Sequence, residues 1–284
     1  MTTREALHHL VDELPEDQTE LARRWLEDLA HAADEDGPPL DPEALASLDA
    51  LAMKLRSPAA DKLAQEMTEL LTTNESSFFR DGRPFEHLRT VLPALHRARP
   101  AGAPIRLWSA ACSTGQEAVS MAIVIAELGE ADPGLRTRRF EIVGTDITAA
   151  VVERARSGVY SQFEVQRGLP IRTLMKRFLQ EEPGKWKVRP ELAAQCAFRQ
   201  ANLLGDLKGL GRFDVVFCRN VLIYFDPPTK GRVLASLAGQ LALDGVLVLG
   251  AAETAMGLTD RLRPHATERG VYVAPDGTPQ RATA

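Results

Sequence analysis

The sequence predicts an α/β protein, a doubly wound sheet preceded by helices, and three stretches carry that prediction. Residues 107–123, LWSAACSTGQEAVSMAI, run from an apolar strand through a turn of small residues into a helix start, the arrangement with which open α/β sheets cradle a bound nucleotide. Residues 140–146 repeat an apolar strand and close it with Asp146. Residues 213–218 make a further strand whose one charge is Asp214, and they deliver Arg219, Asn220 and Tyr224 to the carboxyl edge of the sheet, where such sheets bind their ligands.

A chain of 284 residues with 44% hydrophobic and 26% charged residues is long enough for one large domain and a smaller one. No apolar run approaches the ~20 residues of a membrane helix, and the opening MTTREALHHLVDELPED has neither the basic end nor the apolar centre of a signal peptide. A cytoplasmic protein with no membrane insertion is expected. Cys112, Cys196 and Cys218 are too few and too scattered for a disulfide framework, and none stands at metal-ligand spacing with the six histidines. They read as free thiols, with no metal site.

Charge is uneven. Residues 1–50 hold 14 Asp and Glu against 3 Arg, a local net of −11, so the rest of the chain carries +6 of the overall −5. Such a surface repels a polyanion, which excludes a nucleic-acid footprint there. Leu7, Leu10, Val11 and Leu14, then Leu21, Trp25, Leu26 and Leu29, recur at helical spacing and predict an acidic helical extension over residues 1–40, either a solvated surface or a docking element for a basic partner. After the linker DEDGPPLDP, the stripe Leu45, Leu48, Leu51, Leu55, Leu63, Met67, Leu70 and Leu71 predicts a short helical domain, which with the segment TTNESSFFRD at 72–81 occupies residues 41–100.

The main domain, 101–284, opens with a strand over 105–108, a turn over 109–115 and a helix over 116–128. Ala110, Ala111 and Gly115 keep the turn slim enough for a ligand to approach the backbone, in place of the usual glycine-rich GxGxG. Asp146 can accept hydrogen bonds from both ribose hydroxyls of an adenosine-containing cofactor; alternatively it caps the helix that begins near Thr148. The α/β rhythm then breaks over about 158–198, where short extended runs at 186–188 and 196–198 and a helix over 171–179 suggest an inserted β-subdomain. Asn202 and Leu203 follow, an amide to read an adenine edge and an apolar side chain to cover its face, unless Asn202 caps a turn. A helix over 232–243, a strand over 246–250 and an antiparallel strand over 271–274 complete the sheet.

Taken together, TTNESSFFRD, the 107–123 segment and FCRNVLIYFD at 217–226 resemble the CheR-type chemoreceptor methyltransferases. The resemblance implies a Rossmann-like methyltransferase domain that uses S-adenosyl-L-methionine, releases S-adenosylhomocysteine, and esterifies glutamate side chains on methyl-accepting chemoreceptors. It implies that Glu117 meets the cofactor's amino group, where the plain alternative is a favourable carboxylate at a helix start. Arg219 and Asn220 would line the cofactor, Asn74 and Ser76 would close over it, and Arg80 and Tyr224 would orient the acceptor, Arg80 also reaching the cofactor. Phe78, Phe79 and Phe225 are expected to be core. In the family the inserted sheet contacts the receptor, in some members through a tethering peptide. The short turn at 181–186 lacks the glycine-bracketed loop of tether-binding members, so tether-independent recognition by a monomer is expected. The residues leave two rivals open: a methyltransferase of another carboxylate substrate, and a non-catalytic cofactor-binding regulator of a signalling complex.

Overall fold

The structure, a computed structural model, describes residues 74–275. The helices predicted over 1–40 and 42–71 lie outside the described residues. The chain divides into two compact units, Thr73–Ile223 with Pro227–Ala284, and Met1–Thr72 with Tyr224–Asp226.

The strands are β1 (Ile105–Ala110), β2 (Phe140–Asp146), β3 (Val159–Ser161), β4 (Phe178–Glu182), β5 (Lys185–Val188), β6 (Cys196–Gln200), β7 (Phe213–Cys218), β8 (Leu241–Leu249), β9 (Arg263–Pro264) and β10 (Val271–Val273). The helices are α1 (Arg83–Ala98), α2 (Gln116–Ala131), α3 (Pro133–Thr137), α4 (Ala149–Ser157), α5 (Gln162–Gln166), α6 (Ile171–Arg177), α7 (Pro190–Ala193) and α8 (Pro227–Gly239). Seven strands form one sheet in the order β6-β2-β1-β7-β8-β10-β9. The first five are parallel, β10 runs antiparallel to β8, and β9 runs antiparallel to β10. Chain order reverses between β1 and β7, which makes that crevice the switch point of a doubly wound sheet.

Burial explains why the central strands are mostly apolar. Every residue of β7 is buried, and so is all of β1 except Arg106, as expected for parallel strands covered on both faces. Helix α2 is buried on most of its circumference, through Ala118, Val119, Met121, Ala122, Ile123, Val124 and Ile125, and so belongs to the interior. Trp108 stacks on Phe213 at 5.3 Å and donates its indole N–H to Thr145 Oγ1 at 2.9 Å, which satisfies the polar end of a fully buried ring.

The structure corrects the sequence reading at several places. Helix α1, assigned with the helical segment up to residue 100, packs Phe85, Leu88, Leu92 and Leu95 into the core of the sheet unit. The small sheet β3-β5-β4 is antiparallel and lies within residues 159–188, whereas the run at 196–198, read as the end of the insertion, belongs to β6, which pairs in parallel with β2 in the main sheet. The helix expected over 232–243 begins earlier, at the tandem Pro227-Pro228, whose fixed φ suits a first helical turn. It ends at Gly239, and β8 starts at Leu241 instead of 246.

Candidate cofactor site at the switch point

Register sets the site. Ala110 of β1 pairs with Thr145 of β2 and with Cys218 of β7, so the next residues, Ala111, Asp146 and Arg219, stand at the same level of the carboxyl edge. On the far side of β2, Asp146 pairs with Gln200 of β6, and the Ala201 N–H donates to the Asp146 carbonyl at 2.9 Å. This brings Asn202 and Leu203 to the same edge.

The loop after β1 turns without glycine at two left-handed positions, Ala111 at φ 60° and Ser113 at φ 49°. Such a conformation costs a residue with a side chain about 1–2 kcal/mol, so neighbours must hold it. The Cys112 N–H donates to the Thr145 carbonyl at 2.8 Å and the Ser113 N–H to Asp146 Oδ2 at 2.8 Å. Ser113 Oγ donates to the Asn74 carbonyl at 3.0 Å, and the Tyr160 hydroxyl donates to the Thr114 carbonyl at 3.0 Å. Gly115, at φ 92°, ends the loop. A Cβ there would come within 3.0 Å of Ala155 Cβ, 3.1 Å of the Tyr160 hydroxyl and 3.2 Å of the Phe198 ring. The protein's own packing therefore requires a glycine here.

Asp146 is 5% exposed. Besides Ser113 it accepts the Thr148 N–H on Oδ1 at 3.1 Å, so one carboxylate ties the loop after β1 to the loop after β2. The N-cap of α4 is Thr148; Asp146 receives that residue's N–H and is not itself the cap. Burial pushes its carboxyl above the usual aspartate range, against the lowering effect of these N–H donors.

Glu117 and Arg219 form the second centre. Glu117 Oε1 accepts the Ser109 hydroxyl at 2.7 Å, and Oε2 accepts Arg219 Nη1 at 3.0 Å. Arg219 Nη2 donates to Asp81 Oδ2 at 2.6 Å and to the Arg80 carbonyl at 2.9 Å. These bonds join β1, α2, the end of β7 and the 74–82 segment. The segment is held there by core burial of Phe78, whose ring meets Tyr160 at 4.9 Å and Phe178 at 5.5 Å edge-on. Phe79 packs on Phe85 at 5.1 Å, which places both phenylalanines in the expected packing role.

Of the remaining residues singled out in the sequence, Asn74 and Arg80 enter this network through their backbone carbonyls. The Arg80 guanidinium is half-buried and donates to the Glu75 carbonyl at 3.1 Å. Ser76 is half-buried in the same segment. Asn202 is exposed and its Oδ1 accepts the Leu204 N–H at 2.9 Å, which is the turn-capping reading, while Leu203 beside it is buried. Asn220 sits at φ 59°. Tyr224 closes a 3-10 turn, Leu222–Tyr224, is half-buried, and falls in the second unit. Sequence reasoning missed Ser109, Asp81, Ser113 and Glu253. Ser109, Asp81 and Ser113 stood inside the quoted motifs, whereas Glu253 follows β8 with no local signature.

The residues present suit an adenosyl cofactor with an amino-acid tail. Asp146 at the end of β2 and Glu117 in the first turn of α2 supply carboxylates, and Arg219 Nε is buried without a hydrogen-bond partner among the described residues, a donor still to be satisfied. A loop of small residues and paired acids at the switch point of a doubly wound sheet defines a nucleotide-cofactor-binding α/β protein. Residues 74–271 match the family model "CheR methyltransferase, SAM binding domain". The chain belongs to the CheR methyltransferase family. It is 36% identical over 222 residues to the chemotaxis protein methyltransferase Cher2 of Pseudomonas putida, covering 78% of this chain and 80% of that protein. Over 194 residues it is 40% identical to chemotaxis protein methyltransferase 1 of Vibrio cholerae, covering 68% of this chain and 69% of that one. The chain is therefore a methyltransferase that uses S-adenosyl-L-methionine. No helix among the described residues is long and apolar enough to cross a membrane.

Proposed function

We propose that this methyltransferase esterifies glutamate side chains on the cytoplasmic helices of methyl-accepting chemoreceptors, releasing S-adenosylhomocysteine and tuning adaptation in a chemosensory pathway. The supporting observation is that the site's charged groups are already committed to holding geometry: Asp146 by two loop N–H groups, Glu117 by Ser109 and Arg219, Asp81 by Arg219. An acceptor that arrives ionised needs no general base, and a glutamate carboxylate is such an acceptor. The names of the relatives point to the same pathway.

Bound S-adenosyl-L-methionine supplies an electrophilic methyl group on a sulfonium. What the chain adds is placement, which can account for about 7–11 kcal/mol of a two-partner reaction. Asp146 would take the ribose hydroxyls, Glu117 the amino group and Arg219 the carboxylate through its unsatisfied Nε. Asn202 and Leu203 would border the adenine, Asn220 would line the cofactor, and Asn74 and Ser76 would cover it. Arg80 and Tyr224 are assigned to the incoming carboxylate. A guanidinium that gripped this oxygen more tightly before transfer than during it would slow the step, so Arg80 serves alignment. The short turn of the β4–β5 hairpin at Pro183-Gly184 supports recognition without a receptor tether peptide, and we take the enzyme to act as a monomer in the cytoplasm.

The test is incubation of the full chain with methyl-labelled cofactor and receptor cytoplasmic fragments. Base-labile label on glutamates is expected. Base-stable label would refute ester formation, and intact S-adenosylhomocysteine binding with no receptor labelling would refute the acceptor and leave a regulator or another substrate.

A further inference from the structure

Beyond the residues assigned above, one carboxylate at the same edge of the sheet holds the backbone itself. Glu253 is half-buried just past β8 and accepts four main-chain N–H groups. Oε2 takes those of Asn220 at 2.9 Å and Gly250 at 2.7 Å; Oε1 takes those of Val221 at 2.9 Å and Leu222 at 2.7 Å. The two strands it bridges are neighbours, Cys218 of β7 pairing with Leu249 of β8, so Glu253 ties together the chain leaving each of them. There is no slack: a Cβ on Gly250 would stand 2.6 Å from Glu253 Oε2 and 3.0 Å from the Asn220 nitrogen.

These four bonds fall on the residues immediately after Arg219, and the first of them fixes Asn220 at φ 59°. A non-glycine residue stays in that region when its surroundings over-determine it. A carboxylate is also the one side chain that can accept on both oxygens at once. We propose that Glu253 is a positioning residue for the cofactor site. It locks the left-handed turn at Asn220 and thereby fixes the direction in which Arg219 and Asn220 leave β7. This role rests on the assignment of those two residues to the cofactor.

Glu253→Gln is the informative variant, because it keeps shape and size but points an NH2 at two N–H donors. Two measurements decide. S-adenosylhomocysteine binding by calorimetry is expected to weaken about tenfold or more, the factor set by roughly one lost charge-assisted hydrogen bond. Glu253→Asp, which restores a carboxylate on a shorter stem, should recover part of the loss. Amide hydrogen exchange at residues 220–222 should accelerate in Glu253→Gln while exchange in β1 and β2 stays as in the parent. Unchanged affinity in a folded Glu253→Gln protein, or unchanged exchange at 220–222, overturns the proposal. The exchange measurement needs no cofactor, so it still tests the clamp if the parent protein itself failed to bind S-adenosylhomocysteine, an outcome that would refute the cofactor assignments instead.

Discussion

Arg219 and Glu117 form an ion pair inside the protein, Nη1 to Oε2 at 3.0 Å, with the arginine side chain 2% exposed and the glutamate 13%. The pair crosses the switch point, joining the end of β7 to the first turn of α2, and the same guanidinium reaches Asp81 and the Arg80 carbonyl at its other amino group. Glu117 is therefore more than a favourable charge at a helix start. Its orientation is set from two sides, by Ser109 and Arg219, before any ligand arrives.

Removing the arginine strands that carboxylate and loosens the 74–82 segment together. Breaking a buried pair from one side costs about 3–5 kcal/mol, and Arg219→Met should fall at the lower end because Asp81 is 44% exposed and can turn to water. Arg219→Lys should restore little, since one ammonium cannot reproduce a planar fork serving Glu117, Asp81 and a carbonyl. Urea unfolding of both variants checks this, and parental stability in Arg219→Met would show that the pair is ornamental.

Asp146 yields a pH dependence with a defined sign. Burial raises its carboxyl in the folded protein, so the native state keeps this proton to higher pH than the unfolded chain does. Its contribution to folding is thus fully present below the unfolded value and is lost as pH rises through the folded one. Binding runs the other way, because the ionised form is the better acceptor for ribose hydroxyls. Affinity for S-adenosylhomocysteine should decline on acidification from a pH above the ordinary aspartate range. Asp146→Asn should bind more weakly by roughly 1–3 kcal/mol and lose that acid-side decline. Calorimetry across the range reads both, and a parental profile in Asp146→Asn would remove the ribose assignment.

Gly168 tests how firmly the 74–82 segment is seated. It adopts φ +102°, and a Cβ there would lie 1.9 Å from the Phe78 carbonyl oxygen. An alanine must move backbone, not a pliable side chain, so Gly168→Ala combines left-handed strain with overpacking, roughly 2–5 kcal/mol together. Because that segment supplies the carbonyls of Asn74 and Arg80 to the site, cofactor affinity should fall as well. Thermal unfolding with the parental midpoint would contradict the packing argument.

The central strands and the acid at Asp146 were legible because their physics is local: a strand buried on both faces is a continuous apolar run, and strand, acid and helix follow one another in the chain. The outer elements were harder. Strand β6 buries only Phe198 of its five residues, so the run at 196–198 lacks the continuous apolar signal of a central strand and resembles the short runs of the insertion before it. Helix α1 carries a clear stripe of Phe85, Leu88, Val91, Leu92 and Leu95 after Pro84, a periodicity that marks a helix but does not say which domain it packs against. Glu253 had no such signal, since its partners are backbone N–H groups that no residue letter records. Asn202 carries both of the roles its residue type suggested as alternatives: its Oδ1 caps the turn by accepting the Leu204 N–H, and its NH2 is left for the adenine edge assigned to it above.

The division of labour between cofactor and acceptor is tested by two substitutions with little structural cost. Among the described residues the half-buried Arg80 side chain donates to the Glu75 carbonyl at 3.1 Å, so Arg80→Ala should cost folding no more than about 0.5–1.5 kcal/mol, the worth of one hydrogen bond. Its backbone carbonyl, which holds Arg219, is retained. Tyr224→Phe deletes one hydroxyl and almost no volume. If both side chains align the incoming carboxylate, kcat and kcat/KM for receptor methylation should drop together by about 10-fold or more, while S-adenosylhomocysteine affinity changes by less than about 3-fold, the pattern of an interaction made with the acceptor during transfer. Steady-state kinetics beside calorimetry separates the cases. Parallel losses of affinity and turnover would make Arg80 and Tyr224 cofactor ligands, and parental turnover in both variants would move the acceptor site elsewhere on the carboxyl edge of the sheet.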